Sequence, residues 1–178
     1  GGMILSKAEH AAAIDKAVFP GMQGGPIMSA IAAKAVALHE CQQSSYQSYA
    51  KQVVVNAKAL ASALVAEGMR AISGGTETHL ALIDVTGVGV TGKVADERCG
   101  ASGITLNKNS IPFDPNPPAV TSGIRVGTPA VTTQGMGVDQ MHVIANLITR
   151  AIKSDDAKEH AKIKSEVQSL VTKYPIYA

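Results

Sequence analysis

The sequence predicts an α/β chain of α+β character, with helices at both ends and a short sheet between them. Three observations predict it. Apolar residues recur at helical spacing before residue 68 and after residue 137. Short apolar runs bounded by Gly and Pro fill the stretch between. No internal repeat or low-complexity segment interrupts the pattern. The chain has 178 residues, 46% of them hydrophobic, enough for one domain or one domain with part of another. Only 3% are aromatic and none is Trp, so the core must be built from Ala, Val, Ile, Leu and Met.

Each element has a local reason. Gly2–Ser6 reads as a short buried strand, already under way where the chain opens. This predicts that the chain is a fragment or that an upstream part exists. Ala8–Lys16 is Ala-rich and helical. Phe19-Pro20-Gly21-Met22-Gln23-Gly24-Gly25-Pro26 holds several breakers and predicts a loop, with Pro26 able to open a helix. Ile31, Ala35 and Leu38 then recur at i, i+4, i+7, a helix period. After a break at Gln42–Ser45, Tyr49, Val53, Ala57, Leu60 and Leu64 form a second stripe, which Gly68 closes as a C-cap.

Beyond residue 68 the character changes, and the domain boundary is placed there: residues 1–68 and residues 69–178. Arg70–Ile72 and His79–Val85 read as strands. Thr91 caps a helix to about Cys99, ended by Gly100 and Gly103. Ile104–Asn107 and Gly123–Gly127 read as strands, with a Pro-rich loop from Ser110 to Pro118 between them. Met141, Ile144, Ile148 and Ile152 are in phase within a helix over 137–153. Ser154-Asp155-Asp156 starts the last helix, with acidic residues in its positive first turn. That helix runs to about Lys173, and Tyr174-Pro175 ends it.

Net charge is +2, with both signs interleaved. That argues against a nucleic-acid or membrane-surface partner, while one placed Arg can still bind a small anion. No apolar run reaches the length that spans a bilayer, no signal-peptide pattern opens the chain, and the cytoplasm is the expected location. Cys41 and Cys99 fit neither a disulfide framework nor a metal spacing, and are expected as buried or semi-buried thiols. The five histidines show no ligand spacing, so no metal site is expected. His39 and His142 are expected packed or solvated, and His79 is a candidate core histidine.

Arg125 is the leading candidate for chemistry. Within its strand it faces away from Ile124 and Val126, and the small flanks Ser122-Gly123 and Gly127-Thr128 leave room for a ligand. A guanidinium matches a carboxylate two-to-two. A surface Arg, or one paired to a structural carboxylate, fits the same spacing. Gly24-Gly25 ahead of Pro26 could offer backbone N–H groups to a phosphate, although a tight loop explains them better on their own. Asn109 could face a heterocycle or stabilise its own turn, and the second reading needs less.

Three segments together go further. Ala17-Val18-Phe19-Pro20-Gly21-Met22-Gln23-Gly24-Gly25-Pro26 resembles the loop by which serine hydroxymethyltransferases enter a long helix. Leu106-Asn107-Lys108-Asn109-Ser110-Ile111-Pro112 is similar to that family's folate-side loop. Thr121-Ser122-Gly123-Ile124-Arg125-Val126-Gly127-Thr128-Pro129-Ala130 resembles its substrate-carboxylate segment. The ending Tyr174-Pro175-Ile176-Tyr177-Ala178 also resembles that of bacterial members. Order and spacing agree over essentially the whole chain.

The resemblance implies a fold-type I pyridoxal-phosphate enzyme, dimeric or built from dimers, that moves the one-carbon unit of serine to tetrahydrofolate and leaves glycine. Arg125 would bind the carboxylate of serine or glycine. Gly24 and Gly25 would bind the cofactor phosphate of the partner subunit. Asn109, Pro117, Pro118 and Ala119 would line the folate pocket. Residues 1–68 would be the end of the large domain with its bridging helices, and residues 69–178 the small C-terminal domain. The Schiff-base lysine of this family lies just before the glycine pair matching Gly1-Gly2, and Lys7, Lys34 and Lys108 do not match its context. The chain is therefore expected to be inactive without an upstream companion part. A non-catalytic relative acting as a binding or scaffold module is the alternative. An aminotransferase of the same fold type is a weaker one, which the folate-side loop opposes.

Overall fold

The structure, a computed structural model, describes residues 1–176. Tyr177 and Ala178, the last two residues of the family-like ending, lie outside the described residues. The chain forms two compact units, Gly1–Gln47 and Ser48–Ala178.

The first unit holds helices α1 (Ala8–Lys16) and α2 (Met28–Cys41) and the start of α3 (Ser44–Ala66). The turn Ala17–Met22 between α1 and α2 loses helical geometry at Phe19 and Pro20, as the Pro ring requires. None of its residues is buried. The strand expected at Gly2–Ser6 is absent: the segment pairs with no other strand, and Met3, Ile4 and Leu5 are exposed. An apolar run becomes a strand only where a ladder partner takes its N–H and C=O groups. Cys41 is exposed, against the expectation of a buried thiol, whereas Cys99 in the second unit is buried.

The second unit is an antiparallel sheet with helices packed on one face. Its strands are β1 (Arg70–Ala71), β2 (Leu80–Asp84), β3 (Asn107–Asn109) and β4 (Gly123–Gly127), in the order β1-β2-β4-β3. Alternation along the strands sorts the faces. Ala81, Ile83, Ile124 and Val126 are buried, and Ile83 stands opposite Ile124. On this face lie Leu60 and Leu64 of α3, Ala95 and Cys99 of α4 (Gly92–Ala101), Met141, Ile148 and Ile152 of α6 (Val138–Lys153), and Ile163 of α7 (Ala157–Lys173). Burying each large aliphatic side chain contributes about 1.5–3 kcal/mol.

The sequence-marked change at residue 68 is a change from helix to strand, whereas the compact units divide between residues 47 and 48. Of the stripe predicted on α3, Val53, Ala57, Leu60 and Leu64 are buried and carry most of that helix into the second unit, while Tyr49 is half-buried. Asn56, fully buried, donates to Thr132 Oγ1 and to the Met136 carbonyl, both at 2.9 Å, and accepts from Gln52 Nε2 at 2.9 Å. Thr128 Oγ1, just past β4, donates to the Val53 carbonyl at 2.8 Å.

The predicted caps of α4 and α7 are present: Thr91 Oγ1 accepts from Val94 N at 3.3 Å, and the Asp156 carboxylate accepts from Lys158 N at 2.9 Å. Two features differ from expectation. The strand placed at Ile104–Asn107 pairs instead over Asn107–Asn109, because Ile104 N is committed to the Cys99 carbonyl at 2.9 Å, closing the end of α4. A short helix, α5 (Pro129–Thr133), follows β4. Pro129 in its first turn is the signal for it.

Candidate functional site

On the sheet face opposite the core, β4 presents Arg125. Its neighbours Ile124 and Val126 are buried, while Arg125 is exposed, as the alternation predicts. It stands opposite Leu82 of β2 and Asn107 of β3. Arg125 Nε donates to Asn107 Oδ1 at 3.1 Å, and the Asn107 amide donates onward to the Lys108 carbonyl at 2.8 Å. The two terminal nitrogens of Arg125 have no partner among the described residues, so the two-pronged edge of the guanidinium is open. It borders an open depression of about 470 Å³ shared with His79, Leu80, Asn107 and Gly127. His79 is exposed, not a core residue. A permanently charged fork at the rim of a wide depression suits a small carboxylate.

Asn109 lies on the same strand as Asn107 and two residues further on, opposite Gly123. It therefore shares Arg125's face of the sheet. Its amide donates to the Ser110 carbonyl at 2.8 Å, the local turn bond that was the simpler expectation. Gly123 makes this arrangement possible: a Cβ there would sit 2.8 Å from Ile111 Cγ2 and 2.9 Å from the Asn109 carbonyl.

The loop from Ser110 to Ser122 carries Pro117, Pro118 and Ala119, all exposed. The Pro117 carbonyl accepts from Val120 N at 2.8 Å and Thr121 N at 3.0 Å, which turns the chain back toward β4. Asp114 organises the rest. It accepts hydrogen bonds from Ile111 N, Asn116 N, Ser122 N and Ser122 Oγ at 2.6–3.0 Å. Partial burial works against its charge, but the Ser122 hydroxyl and the three amides outweigh that and hold the carboxyl at about 2. The sequence reading missed Asn107, Asp114 and Ser122. A signal for Asp114 was present in Asp114-Pro115-Asn116, an Asx turn in which the carboxylate caps the amide two residues on.

Gly24 and Gly25 lie in the first unit, on the exposed loop ahead of α2. A Cβ at either would meet nothing within 4 Å, so crowding within the chain does not require glycine there. Their amides bond to nothing among the described residues and remain available as donors. Arg125 and Asn109 share one face of the sheet in the second unit, the Pro117–Ala119 loop lies between β3 and β4 of the same unit, and the glycine pair lies in the first.

Other perturbed groups are structural. Burial opposes charge on Asp84, yet Thr86 Oγ1 at 2.7 Å, Thr86 N at 2.9 Å and Arg70 hold its carboxyl below the usual range. Burial, aided by Asp96, pushes the Cys99 thiol up to about 12, which keeps it an unreactive thiol at neutral pH. Among the described residues no group of His, Cys, Asp and Glu could hold a metal ion. No helix of these residues is long and apolar enough to cross a membrane.

An antiparallel sheet with one helix-covered face and an outward Arg on its other face gives the second unit an α/β fold. The family is fixed by comparison. The sequence model of the serine hydroxymethyltransferase family matches residues 5–148. The serine hydroxymethyltransferase of Coprothermobacter proteolyticus is 51% identical over 177 residues, 99% of this chain and 43% of that protein. The chain belongs to the serine hydroxymethyltransferase family. It spans about two fifths of the length of that curated relative.

Proposed function

We propose that this chain supplies the substrate-carboxylate and folate side of a serine hydroxymethyltransferase, a transferase moving a one-carbon unit between serine and tetrahydrofolate, and that it works only with an upstream part. The observation that carries the reading is Arg125, anchored through Nε by Asn107 at 3.1 Å with its two-pronged edge open. Its second support is the family match over residues 5–148.

In this reading Arg125 grips the carboxylate of serine or glycine and so fixes the amino acid's orientation before any bond is broken. Asn109 and the exposed Pro117, Pro118 and Ala119 line the folate side. The free amides of Gly24 and Gly25, ahead of α2, fit a phosphate and would hold that of pyridoxal phosphate in a partner subunit. When bound, that cofactor supplies the electron sink for chemistry at the amino acid's α-carbon. Residues 1–68 then form the end of the large domain with bridging helices, and residues 69–178 the small domain of a cytoplasmic dimer in glycine and one-carbon metabolism.

The test is Arg125→Ala in the complete enzyme. Charged hydrogen bonds are worth about 1.5–3 kcal/mol each, so loss of the fork is expected to raise the serine KM at least tenfold. Arg125→Lys should not restore it, because a point charge lacks the planar fork. An unchanged serine KM in the Ala variant would remove the assignment. The isolated chain, mixed with pyridoxal phosphate and reduced with borohydride, should retain no cofactor on a lysine.

A further inference from the structure

The loop between β3 and β4 closes on one carboxylate. Asp114 Oδ2 accepts from Ile111 N at 3.0 Å, at the loop's entrance, and from Ser122 N at 2.9 Å, at its exit. Asp114 Oδ1 accepts from Asn116 N at 2.9 Å, at the central turn, and from Ser122 Oγ at 2.6 Å. Asn116 Nδ2 donates to Ser122 Oγ at 2.9 Å, closing a second ring inside the first. Ser122 is wholly buried, and its carbonyl accepts from Val85 N at 3.1 Å, so the ring is fastened to the end of β2.

We propose that Asp114 is a positioning residue for the folate-side loop: its carboxylate ties entrance, turn and exit into one shape and thereby sets where Pro117, Pro118 and Ala119 present themselves to tetrahydrofolate. The inference rests on the proposed function above.

The chemistry requires a carboxylate. Four donors converge on one side chain, and a charged carboxyl is acceptor-only with room for all of them. An Asn of the same shape offers one acceptor oxygen and turns an NH2 group toward amides that also donate. The donors hold the Asp114 carboxyl at about 2, so the brace is charged at neutral pH. Pro117 and Pro118 have no backbone N–H to give to the Asp114 carboxylate. Their placement follows from the ring around Asp114 and from the turn at the Pro117 carbonyl.

A structural acid would weaken everything together, and a positioning acid weakens one ligand. The complete enzyme is compared as wild type, Asp114→Asn and Ser122→Ala. Tetrahydrofolate and glycine binding are followed by calorimetry, serine and tetrahydrofolate KM by steady-state kinetics, and folding by thermal melting. Asp114→Asn is expected to weaken tetrahydrofolate about tenfold or more, while glycine affinity and serine KM move less than about threefold. Ser122→Ala, which keeps three of the four bonds to Asp114, is expected to weaken tetrahydrofolate by a smaller factor, about threefold. Unchanged tetrahydrofolate binding, or parallel loss of both ligands, overturns the inference. If Asp114→Asn does not fold, Ser122→Ala decides by the same two criteria. A wild-type enzyme that binds glycine but no tetrahydrofolate would overturn the folate reading itself, and this inference with it. Selective loss in the variants alone is the supporting result.

Discussion

Arg125 Nε donates to Asn107 Oδ1 at 3.1 Å across the β3–β4 pair, while the Asn107 amide is held by the Lys108 carbonyl at 2.8 Å. The second bond fixes which end of Asn107 faces the guanidinium. The first occupies Nε and leaves the terminal nitrogens pointing outward. If Arg125 holds the serine carboxylate as proposed, Asn107→Ala should raise the serine KM of the complete enzyme by about threefold to tenfold, the worth of one hydrogen bond of about 1 kcal/mol. Its kcat should change little. Asn107→Asp should leave Arg125 neutralised in place and weaken serine more than Ala does. Steady-state kinetics on the two variants checks the order.

Asp114 links the fold to pH. Its carboxyl is held at about 2 in the folded chain against an ordinary value of 3.8. A depressed acid stabilises the fold above its unfolded value, and that contribution is lost as pH falls through the folded one. Part of the stability of the second unit should thus disappear between about pH 4 and pH 2. Asp114→Asn should lie lower at neutral pH and fall less steeply across that window. Melting temperatures measured from pH 2 to pH 7 would show it, and parallel curves would contradict it.

Ser102 and His160 form a buried pair between α4 and α7, with Ser102 Oγ 2.8 Å from His160 Nδ1. The Ser102 hydroxyl donates to the Arg98 carbonyl at 3.0 Å, which leaves His160 Nδ1–H to donate to the serine oxygen. Ser102→Ala orphans that buried donor and should cost about 1–3 kcal/mol. Adding His160→Phe should recover part of the loss, since the two changes share one interaction. Urea unfolding of the two single variants and the double variant measures the coupling.

Gly92 opens α4 against the end of the Asp114 loop. A Cβ there would collide with Thr121 Oγ1 and the Gly123 carbonyl, and one of the two is backbone that cannot swing aside. Gly92→Ala should destabilise the second unit by about 1–3 kcal/mol. Because the collision displaces residues 121–123, it should also weaken the carboxylate binding proposed for Arg125, two to four residues along. A Gly100→Ala variant, with nothing within 4 Å of its Cβ, is the control.

Much of this is legible in the sequence alone. The stripe Val53–Leu64, the strand Gly123–Gly127 and the caps Thr91 and Asp156 follow from periodicity and local hydrogen bonding, which act within a few residues. Arg125's outward direction follows from alternation alone. What stayed hidden depends on partners distant in sequence. The register of β3 is decided by Ile104 N closing α4. Asn107 looked like any strand polar residue until its opposite number was Arg125. Asp114 reads as a turn residue, and the serine it grips is eight positions on. Gly2–Ser6 has strand composition and no ladder to join.

The two outer strands of the sheet are very short. β1 offers two residues and β3 three, and they carry Arg70 and Lys108. A long, flat, uncharged rim invites another chain to extend the ladder, and this sheet has none. Copies of this chain should consequently resist fibril-like stacking through their sheets, even when concentrated.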